Sequence, residues 1–336
     1  TKIPDDVINK VEIPHTDLIF EYEDSYKEKF NKLDVESQLK ISILSGLLSL
    51  EGSGKYLKDV KSSSKSVKGT LIYRMSSVQE SLNINHDDVK TYIATDAFNI
   101  QGATHVVTGI KWGATMMSSF ECKNRNIRNK SKIEGILKAN LEKVSTCIGA
   151  SIGVDAGVKE ERLEFSNHFS IKIHGDVIPD NKKLPQSFDE AKEILTELPL
   201  YVKKYNCGKG VPIEFTLYPL SELARKFKHT ITIGSIITEL NEQTILRVEQ
   251  IFDDFLKSKK MLNDLRDEAR SISDHILDVT LHIIEKRVQD TKIEETNFRN
   301  KLADSLILVR SGRCNINEIE RRISDFQKSI LSDESI

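Results

Sequence analysis

The sequence contains little cysteine, and its cysteines form no motif. Cys122, Cys147, Cys207 and Cys314 are widely spaced, with no C-x-x-C pair among them. Cysteine-built zinc sites and small disulfide-rich folds both need closely spaced cysteines, so the spacing excludes both. We interpret the four residues as ordinary thiols.

Long apolar runs and an excess of one charge are also missing. No stretch approaches the ~18 uninterrupted apolar residues of a membrane-spanning helix, which excludes a helical membrane protein. The 49 Lys and Arg residues nearly balance the 51 Asp and Glu residues, and the formal net charge is −2. Because no basic field attracts polyanions, the sequence predicts no nucleic-acid partner.

Proline and glycine are nearly absent from the last third of the 336 residues. All seven prolines lie at or before Pro219, and only Gly234 and Gly312 lie beyond Gly210. Helix interiors exclude both residue types, so this shift predicts a first domain at residues 1–220 and a helical domain at residues 221–336.

Four apolar stripes at helical spacing support the helical domain. They are Ile245, Val248, Phe252, Phe255 and Leu262; Ile272, Ile276, Val279 and Ile283; Phe298, Leu302, Leu306 and Val309; and Ile316, Ile319, Ile323, Phe326 and Ile330. Asn315 and Glu318 have the spacing of a capping box before the last stripe. We expect an antiparallel bundle in which each stripe is buried against its neighbours.

The first domain carries long strands. Three runs alternate with period two, namely Val67 to Met75, Thr104 to Gly113 and Leu163 to His174. This alternation is typical of strands with one buried face and one face toward water.

Two stretches between the strands give conflicting signals. Ile133 to Val144 has helical spacing, but the next residues alternate strictly, with Ile148, Ala150, Ile152, Val154, Ala156 and Val158 on one face and small or polar residues on the other. A membrane β-strand needs about 9–11 residues of this pattern. A glycine-rich strand packed permanently in the sheet gives the same pattern, so both interpretations stay open. The other stretch lies earlier in the chain, at Ser37 to Leu57. It begins with an alternating pattern, which its glycines then interrupt.

No active site is evident. Gly52 to Lys55 resembles the end of a phosphate-binding loop, but Ser49 stands where the loop needs a glycine and Tyr56 where it needs a hydroxyl for magnesium. His275, Asp278 and His282 have the spacing of one helical face, where a metal site and a solvated surface are both compatible with the pattern. We therefore predict neither catalysis nor a cofactor.

Residues 102–113, GATHVVTGIKWG, resemble the signature of the membrane-attack-complex/perforin and cholesterol-dependent cytolysin (MACPF/CDC) superfamily. That signature reads Y-G-T-H-F, six residues, then G-G, and Thr104, His105 and Gly113 match it here. The departures are Gly102, Ala103, Val106 and Ala114.

Longer strings resemble the stonustoxin family, the lethal factors of stonefish venom and their wider relatives. They are LEGSGKYLKDVK at residues 50–61, ATHVV at 103–107, IKIHGD at 171–176, LPQSFDEAKEILTELP at 184–199 and VPIEFTLYPL at 211–220. That family places a helical domain directly after the MACPF/CDC-like domain, in agreement with the break in proline and glycine. Members of that family also have a further N-terminal segment and, after the helical domain, thioredoxin-like and PRY-SPRY domains, and we expect these parts to be missing from the 336 residues.

The resemblance implies an α+β fold, with a bent four-stranded antiparallel sheet and two helical clusters that unfold into membrane hairpins when monomers form a ring. The clusters map to Ser37–Ser64 and Ser131–Arg162, the two stretches with conflicting signals. In such a hairpin the residues that would face lipid are Ile148, Ala150, Ile152, Val154, Ala156 and Val158. Thr104, His105 and Gly109 mark the signature strand, Gly113 is a candidate for the bend, and we interpret His105 as structural.

Two hypotheses for function follow. The first is a pore-forming, cytolysin-like module whose partners are membrane lipids and either further copies of itself or a paralogous subunit. The alternative is a non-lytic intracellular scaffold for interaction or signalling that keeps the fold. Localisation is correspondingly open, either secreted and then bound to a target membrane or cytoplasmic.

Overall fold

A computed structural model describes residues 3–22, 24–94, 96, 98, 105–122, 130–151, 169–177, 185–228 and 239–332. Its strands are β1 (Ile8–Glu21), β2 (Val67–Leu82), β3 (His105–Cys122), β4 (Ser170–Gly175) and β5 (Val211–Pro219). The α-helices of the described residues are α1 (Tyr26–Lys32), α2 (Ser37–Leu44), α3 (Val89–Tyr92), α4 (Lys130–Ser151), α5 (Phe188–Thr196), α6 (Leu198–Lys204), α7 (Leu220–Phe227), α8 (Glu242–Ser271), α9 (Asp278–Arg310) and α10 (Asn317–Ser332).

The strands form one antiparallel sheet in which β1, β2 and β3 are neighbours in chain order. Two short strands share the fourth position. β4 pairs with Met116–Glu121 of β3, and β5 pairs with His105–Gly113 of the same strand. The expected sheet is thus present, with its fourth strand interrupted by α5 and α6.

The register of the sheet breaks along one line across the strands. The β1–β2 pairing shifts between Glu12 and His15, and the β2–β3 pairing shifts between Ser76 and Gln79. The β3–β5 pairing shifts at the same level between Lys111 and Trp112, and a second time, away from it, between Val107 and Gly109. Extra residues of this kind bend and twist a strand locally, so the aligned shifts place the expected bend of the sheet at this level.

One face of the sheet is apolar and is covered by helices. Leu71, Tyr73, Met116 and Phe120 point toward α4, α5 and α6 and are almost fully buried. The ring of Phe120 stacks on Phe188 of α5, with 4.4 Å between the ring centroids. This layer forms the main core of the first 220 residues.

The helical region differs from the sequence prediction of four segments. The second and third predicted stripes belong largely to one helix, α9, while Ile272 and Ile276 lie in its connection to α8. The described bundle consists of α8, α9 and α10, and a cluster of Phe252, Phe255, Phe298 and Phe326 lies at its centre.

The expected burial of the second stripe is wrong. Val279 and Ile283 are 67% and 61% exposed. The reason is length, because α9 has 33 residues whereas α10 has only 16 and can cover about half of it at ~1.5 Å per residue. Spacing predicts an apolar stripe, but it does not tell whether a partner helix reaches it.

The bundle core also contains residues from the start of the chain. Phe30 of α1 and Ile41 and Leu44 of α2 pack in the same cluster as Phe252 and Leu302. The division at residue 220 therefore stays a prediction: the strands end before it, yet one apolar core contains residues from both sides.

The predicted strands are found with different limits. The run at 67–75 belongs to the longer β2, and the run at 104–113 is described from residue 105, where it belongs to the longer β3. The run at 163–174 is described only from residue 169, with strand at Ser170–Gly175. β1 was missed because Pro14 and flanking polar residues interrupt its alternation.

Candidate functional site

Two stretches of chain connect strands at one end of the sheet. The first segment, residues 22–66, follows β1 and precedes β2, and the second segment, residues 123–169, follows β3 and precedes β4. The pairs at this end are Glu21 with Thr70, Val67 with Cys122, and Glu121 with Ser170. Any extension of these strands would therefore form adjacent hairpins at one end of the sheet.

The second segment contains helix α4, which lies on the apolar face. Its buried stripe consists of Leu137, Leu141, Val144 and Ile148. Burying one such side chain contributes roughly 1.5–3 kcal/mol, so α4 leaves the sheet only if its apolar surface finds another partner.

Gly69 of β2 sets how closely α4 approaches the sheet. A Cβ atom at this position would lie 2.9 Å from Leu137 Cδ2 and 2.9 Å from Leu141 Cδ1. These distances are shorter than van der Waals contact, so the missing side chain makes room for the two leucines.

The candidate hairpin residues are only partly described. Ile148 is fully buried, and Ala150 also lies within α4. The interpretation of a permanent strand is therefore wrong for residues 147–151, which are helical. Ile152, Val154, Ala156 and Val158 lie outside the described residues.

The first segment occupies the other face of the sheet. Tyr56 packs against Ile72 and Met117, whereas α2 faces the helical bundle. The segment therefore lies between the sheet and the bundle and consists of α1, α2 and a 3-10 helix at Gly52–Lys58.

Residues 52–55, which resemble the end of a phosphate-binding loop, bind a carboxylate of the same chain, that of Asp176. Asp176 Oδ1 accepts a hydrogen bond from Ser53 N at 2.9 Å, and Asp176 Oδ2 accepts one from Thr115 N at 2.9 Å. A Cβ on Gly52 would lie 2.8 Å from the same Asp176 Oδ1. This carboxylate links the first segment to β3.

Seven ionisable side chains meet where the first segment, the sheet and the bundle converge. We call this group the charge cluster, and it comprises Asp24, Lys29, Asp59, Lys68, Lys172, His174 and Lys260. Lys68, Lys172 and His174 belong to the sheet, and Lys260 belongs to α8.

Asp59 joins the first segment to the sheet. Its Oδ2 lies 2.9 Å from Lys68 Nζ, and its Oδ1 lies 2.7 Å from Lys172 Nζ. His174 Nε2 is 3.6 Å from Oδ2, so it acts by proximity rather than through a short hydrogen bond. Lys29 Nζ also donates to the Asp59 carbonyl oxygen at 2.7 Å.

Asp24 joins the first segment to the bundle. Its Oδ2 lies 2.8 Å from Lys260 Nζ of α8, and its Oδ1 lies 3.2 Å from Lys29 Nζ. Lys61 N donates to the same carboxylate at 2.7 Å. The two aspartates thus fix both ends of the first segment.

Burial and charge act in opposite directions on these groups. Burial alone would raise the pKa of Asp24, but Lys29, Lys260 and Lys68 outweigh it and hold this pKa below its ordinary value. Burial alone would also raise the pKa of Asp59, but His174, Lys68 and Lys172 outweigh it and hold this pKa well below its ordinary range. Both carboxylates are therefore ionised at neutral and mildly acidic pH.

For Lys29 burial outweighs the neighbouring charges, so its neutral form is favoured, and this gives a pH-dependent prediction. Burial lowers the pKa of Lys29 from 10.5 to about 8, in spite of the attraction of Asp24. Between these two values the unfolded chain binds the proton and the folded chain does not, so the contribution of Lys29 to stability rises with pH. The quantity to measure is the free energy of unfolding of the wild type minus that of Lys29→Met, obtained from urea titrations. We expect this difference to increase by about 3 kcal/mol from pH 8 to 10.5. A difference that stays constant over this range would contradict it.

Two glycines lie where three backbone segments come unusually close together. Gly113 pairs with Ser76 at the register shift, and a Cβ there would lie 1.9 Å from Met75 O. Gly210 has a φ of +88°, and a Cβ there would lie 2.2 Å from Gly113 O. Only glycine allows the three backbones to approach this closely.

Other signature residues also lie on β3. His105 begins the strand opposite Pro219, and a Cβ at Gly109 would lie 2.9 Å from Thr216 Oγ1. Thr104 lies outside the described residues.

The possible metal site on the helical region is not formed. His275 ends a 3-10 turn before α9 begins at Asp278, so it does not share a helical face with His282. A different group, Asp6, His86 and Asp88, comes together among the described residues, but it is largely exposed. In the described part of the chain, no helix has both the length and the apolar character needed to cross a bilayer.

Sequence reasoning missed the charge cluster, Asp176 and Gly210. Asp59 lies in the string LEGSGKYLKDVK, and Lys172, His174 and Asp176 lie in IKIHGD. The two strings meet in the fold through Asp59 and Asp176. Nothing in either string alone gives the partner.

The chain is similar to known proteins over most of its length. A family model described as "SNTX, MACPF/CDC-like domain" matches residues 10–233. Neoverrucotoxin subunit alpha of Synanceia verrucosa is 26% identical over 314 residues, which cover 93% of this chain and 42% of that protein. Cytolytic toxin-beta of Scorpaena plumieri is 31% identical over 199 residues, which cover 59% of this chain and 27% of that protein.

A solved structure shares the fold. The structure of stonustoxin aligns with 94% of this chain and 40% of its own, with a TM-score of 0.63 and 20% sequence identity. The chain therefore spans about two fifths of the length of neoverrucotoxin subunit alpha and of the stonustoxin chain.

Proposed function

Since the chain belongs to the family of SNTX, MACPF/CDC-like domains, we propose that it is the pore-forming module of a cytolysin. Copies of the module, or the module and a paralogous subunit, associate side by side. The first and second segments then leave their helical form and enter a target membrane as β-hairpins. The observation that carries this proposal is the position of both segments, which follow β1 and β3 at the same end of one antiparallel sheet.

The edges of the sheet support association. Within the described residues, β1 pairs only with β2, and β4 and β5 pair only with β3, so both outer edges have unpaired backbone groups. Such edges are templates for pairing with another chain. The relatives include proteins named as alpha and beta subunits, which supports a paralogous partner as well as a second copy.

Backbone chemistry makes association a condition for insertion. A single hairpin in lipid leaves the hydrogen-bonding groups of its outer strands unsatisfied, at a cost of several kcal/mol each, so hairpins enter a bilayer only when neighbours pair with them. The energy comes from apolar residues that leave water, at about 25 cal/mol per Å².

The proposal is tested by locking the second segment to the sheet. Gly69→Cys and Leu141→Cys place two thiols at a close contact between β2 and α4, in a background with Cys122, Cys147, Cys207 and Cys314 replaced by serine. In the full-length protein we expect the oxidised form to release no dye from lipid vesicles, whereas the reduced form releases it as the unlocked background does.

The reduced form and the two single-cysteine variants are the matched controls. Equal leakage from oxidised and reduced protein would reject insertion of the second segment. Absence of leakage from the unlocked protein on every membrane tested would instead favour the non-lytic scaffold.

A further inference from the structure

Helix α2 of the first segment belongs to the core of the bundle rather than to that of the sheet. Ile41 and Leu44 are almost fully buried, in one cluster with Val248, Phe252 and Leu302 of α8 and α9. Phe30 of α1 and Leu57 of the 3-10 helix complete this contact. The bundle therefore covers apolar residues of the first segment from α1 to the 3-10 helix.

Two arginines of α9 bind the backbone and a side chain of α2. Arg310 Nη2 donates to Gln38 O at 2.9 Å, and Arg310 Nη1 donates to Ser42 Oγ at 2.8 Å. Arg299 donates to Leu44 O, one of the last carbonyls of the helix, which has no partner within the helix itself. The bundle thus supplies hydrogen bonds that an eight-residue helix cannot supply for itself.

Helix α8 and Leu240, two residues before it, bind the same segment at further points. Gln38 and Leu240 exchange two hydrogen bonds, with Nε2 donating to the carbonyl at 2.8 Å and the Leu240 amide donating to Oε1 at 3.2 Å. Lys40 Nζ lies 3.3 Å from Glu249 Oε1. Asp264 accepts from Ser64 N at 2.9 Å near the end of the segment.

Helix α2 is too short to be stable alone. Isolated helices of fewer than about 12–15 residues are marginal in water, and α2 has eight residues. Its helical form therefore depends on the contacts with α8 and α9.

The second segment is held by different partners. α4 packs on β2 and α5, and its buried stripe lies in the apolar cluster of the sheet. The two segments thus have separate restraints, although both follow strands at the same end of the sheet.

We propose that the helical bundle is a clamp on the first segment. It holds residues 24–66 in their compact form, and α2 must detach from α8 and α9 before the first segment can extend. This inference rests on the proposed function for the consequence of release, but the clamp itself is a property of the chain in water.

The clamp is tested first in water, by hydrogen exchange of the 336-residue chain. The double variant Arg299→Ala/Arg310→Ala removes the hydrogen bonds from α9 to α2, and Lys301→Ala, at an exposed position between them on α9, is the matched control. We expect amide exchange in residues 37–44 to rise about tenfold or more in the double variant, with α4 unchanged and the control within twofold of the wild type. Unchanged exchange in residues 37–44 would overturn the clamp.

A second variant strengthens the contact between the first segment and α8 instead of weakening it. The clamp can therefore be tested even if the double arginine variant folds poorly. Ser64→Cys and Asp264→Cys, in the serine background, place a reversible disulfide between the first segment and α8. We expect oxidation to slow exchange in residues 37–66 and, in the full-length protein, to stop dye release from phosphatidylcholine vesicles with or without phosphatidylserine. Reduction restores both.

The two readouts separate the clamp from pore formation. Leakage that is the same with the disulfide oxidised and reduced would overturn the clamp while pore formation stands. If even the unlocked protein releases no dye, pore formation fails, and the exchange data alone then support or overturn the clamp.

Discussion

A Gly113→Val substitution is expected to prevent formation of the native sheet. The new Cβ would lie 1.9 Å from Met75 O, which belongs to the backbone of β2 and cannot move without breaking the pairing at the bend. We expect a loss of more than about 4 kcal/mol in the free energy of unfolding, which is the size of effect seen when a substitution causes a severe steric clash. Urea denaturation followed by circular dichroism measures this loss, or the absence of a folded transition.

Gly135→Ala is the control for this substitution. Gly135 lies in α4 with nothing within 4 Å of an added Cβ, so alanine should stabilise the helix by about 1 kcal/mol. Equal stability of Gly113→Val and the wild type would show that the backbones at the bend are not as close as described.

An Asp59→Asn substitution is expected to have the second largest effect on stability. Asp59 is buried and lies 2.9 Å from the buried ammonium of Lys68, and its neutralisation removes the carboxylate nearest to that cation. Removing one partner from a buried charge pair costs about 3–5 kcal/mol. We therefore expect a loss of this size in urea denaturation at pH 7.

Asp34→Asn tests whether burial is the cause. Asp34 pairs with Arg74 but is 82% exposed, and exposed pairs contribute only about 0–1 kcal/mol. If Asp59→Asn costs no more than Asp34→Asn, the charge cluster does not hold the first segment to the sheet.

Local sequence patterns predicted the elements that follow a single period. The alternation in Val67–Met75 and the helical stripe at Ile133–Val144 both correspond to elements of the matching type, β2 and α4. Residues 147–151 alternate and yet are helical, because burial of Ile148 continues the stripe of α4. Where two periods overlap, packing decides between them, and packing is not readable from the segment itself.

Long-range contacts could not be predicted from the sequence. The charge cluster joins Asp24 and Asp59 to Lys172 and to Lys260, which are far apart in the chain. Each of these residues alone has the pattern of an ordinary surface charge. Gly113 was predicted as the bend from its place in the signature, but Gly210 was not, since its role follows only from the approach of its backbone to Gly113.

The described contacts give each segment a distinct restraint. The second segment is held by apolar contacts of α4 with the sheet, and a lipid environment can replace such contacts. The first segment also makes apolar contacts with the bundle, but in addition it is held by ion pairs and by hydrogen bonds from the bundle, which lipid cannot replace. This difference leads us to expect that the second segment is released more readily.

Lipid exposure along residues 148–158 tests the central claim most directly. Single cysteines carrying an environment-sensitive dye are placed at each position in turn, in the full-length protein without its native cysteines, and are probed with a lipid-soluble quencher on vesicles. The account predicts quenching that alternates with period two, strong at Ile148, Ala150, Ile152, Val154, Ala156 and Val158 and weak at the positions between them. Quenching with a helical period, or none at any position while the vesicles leak, would contradict it.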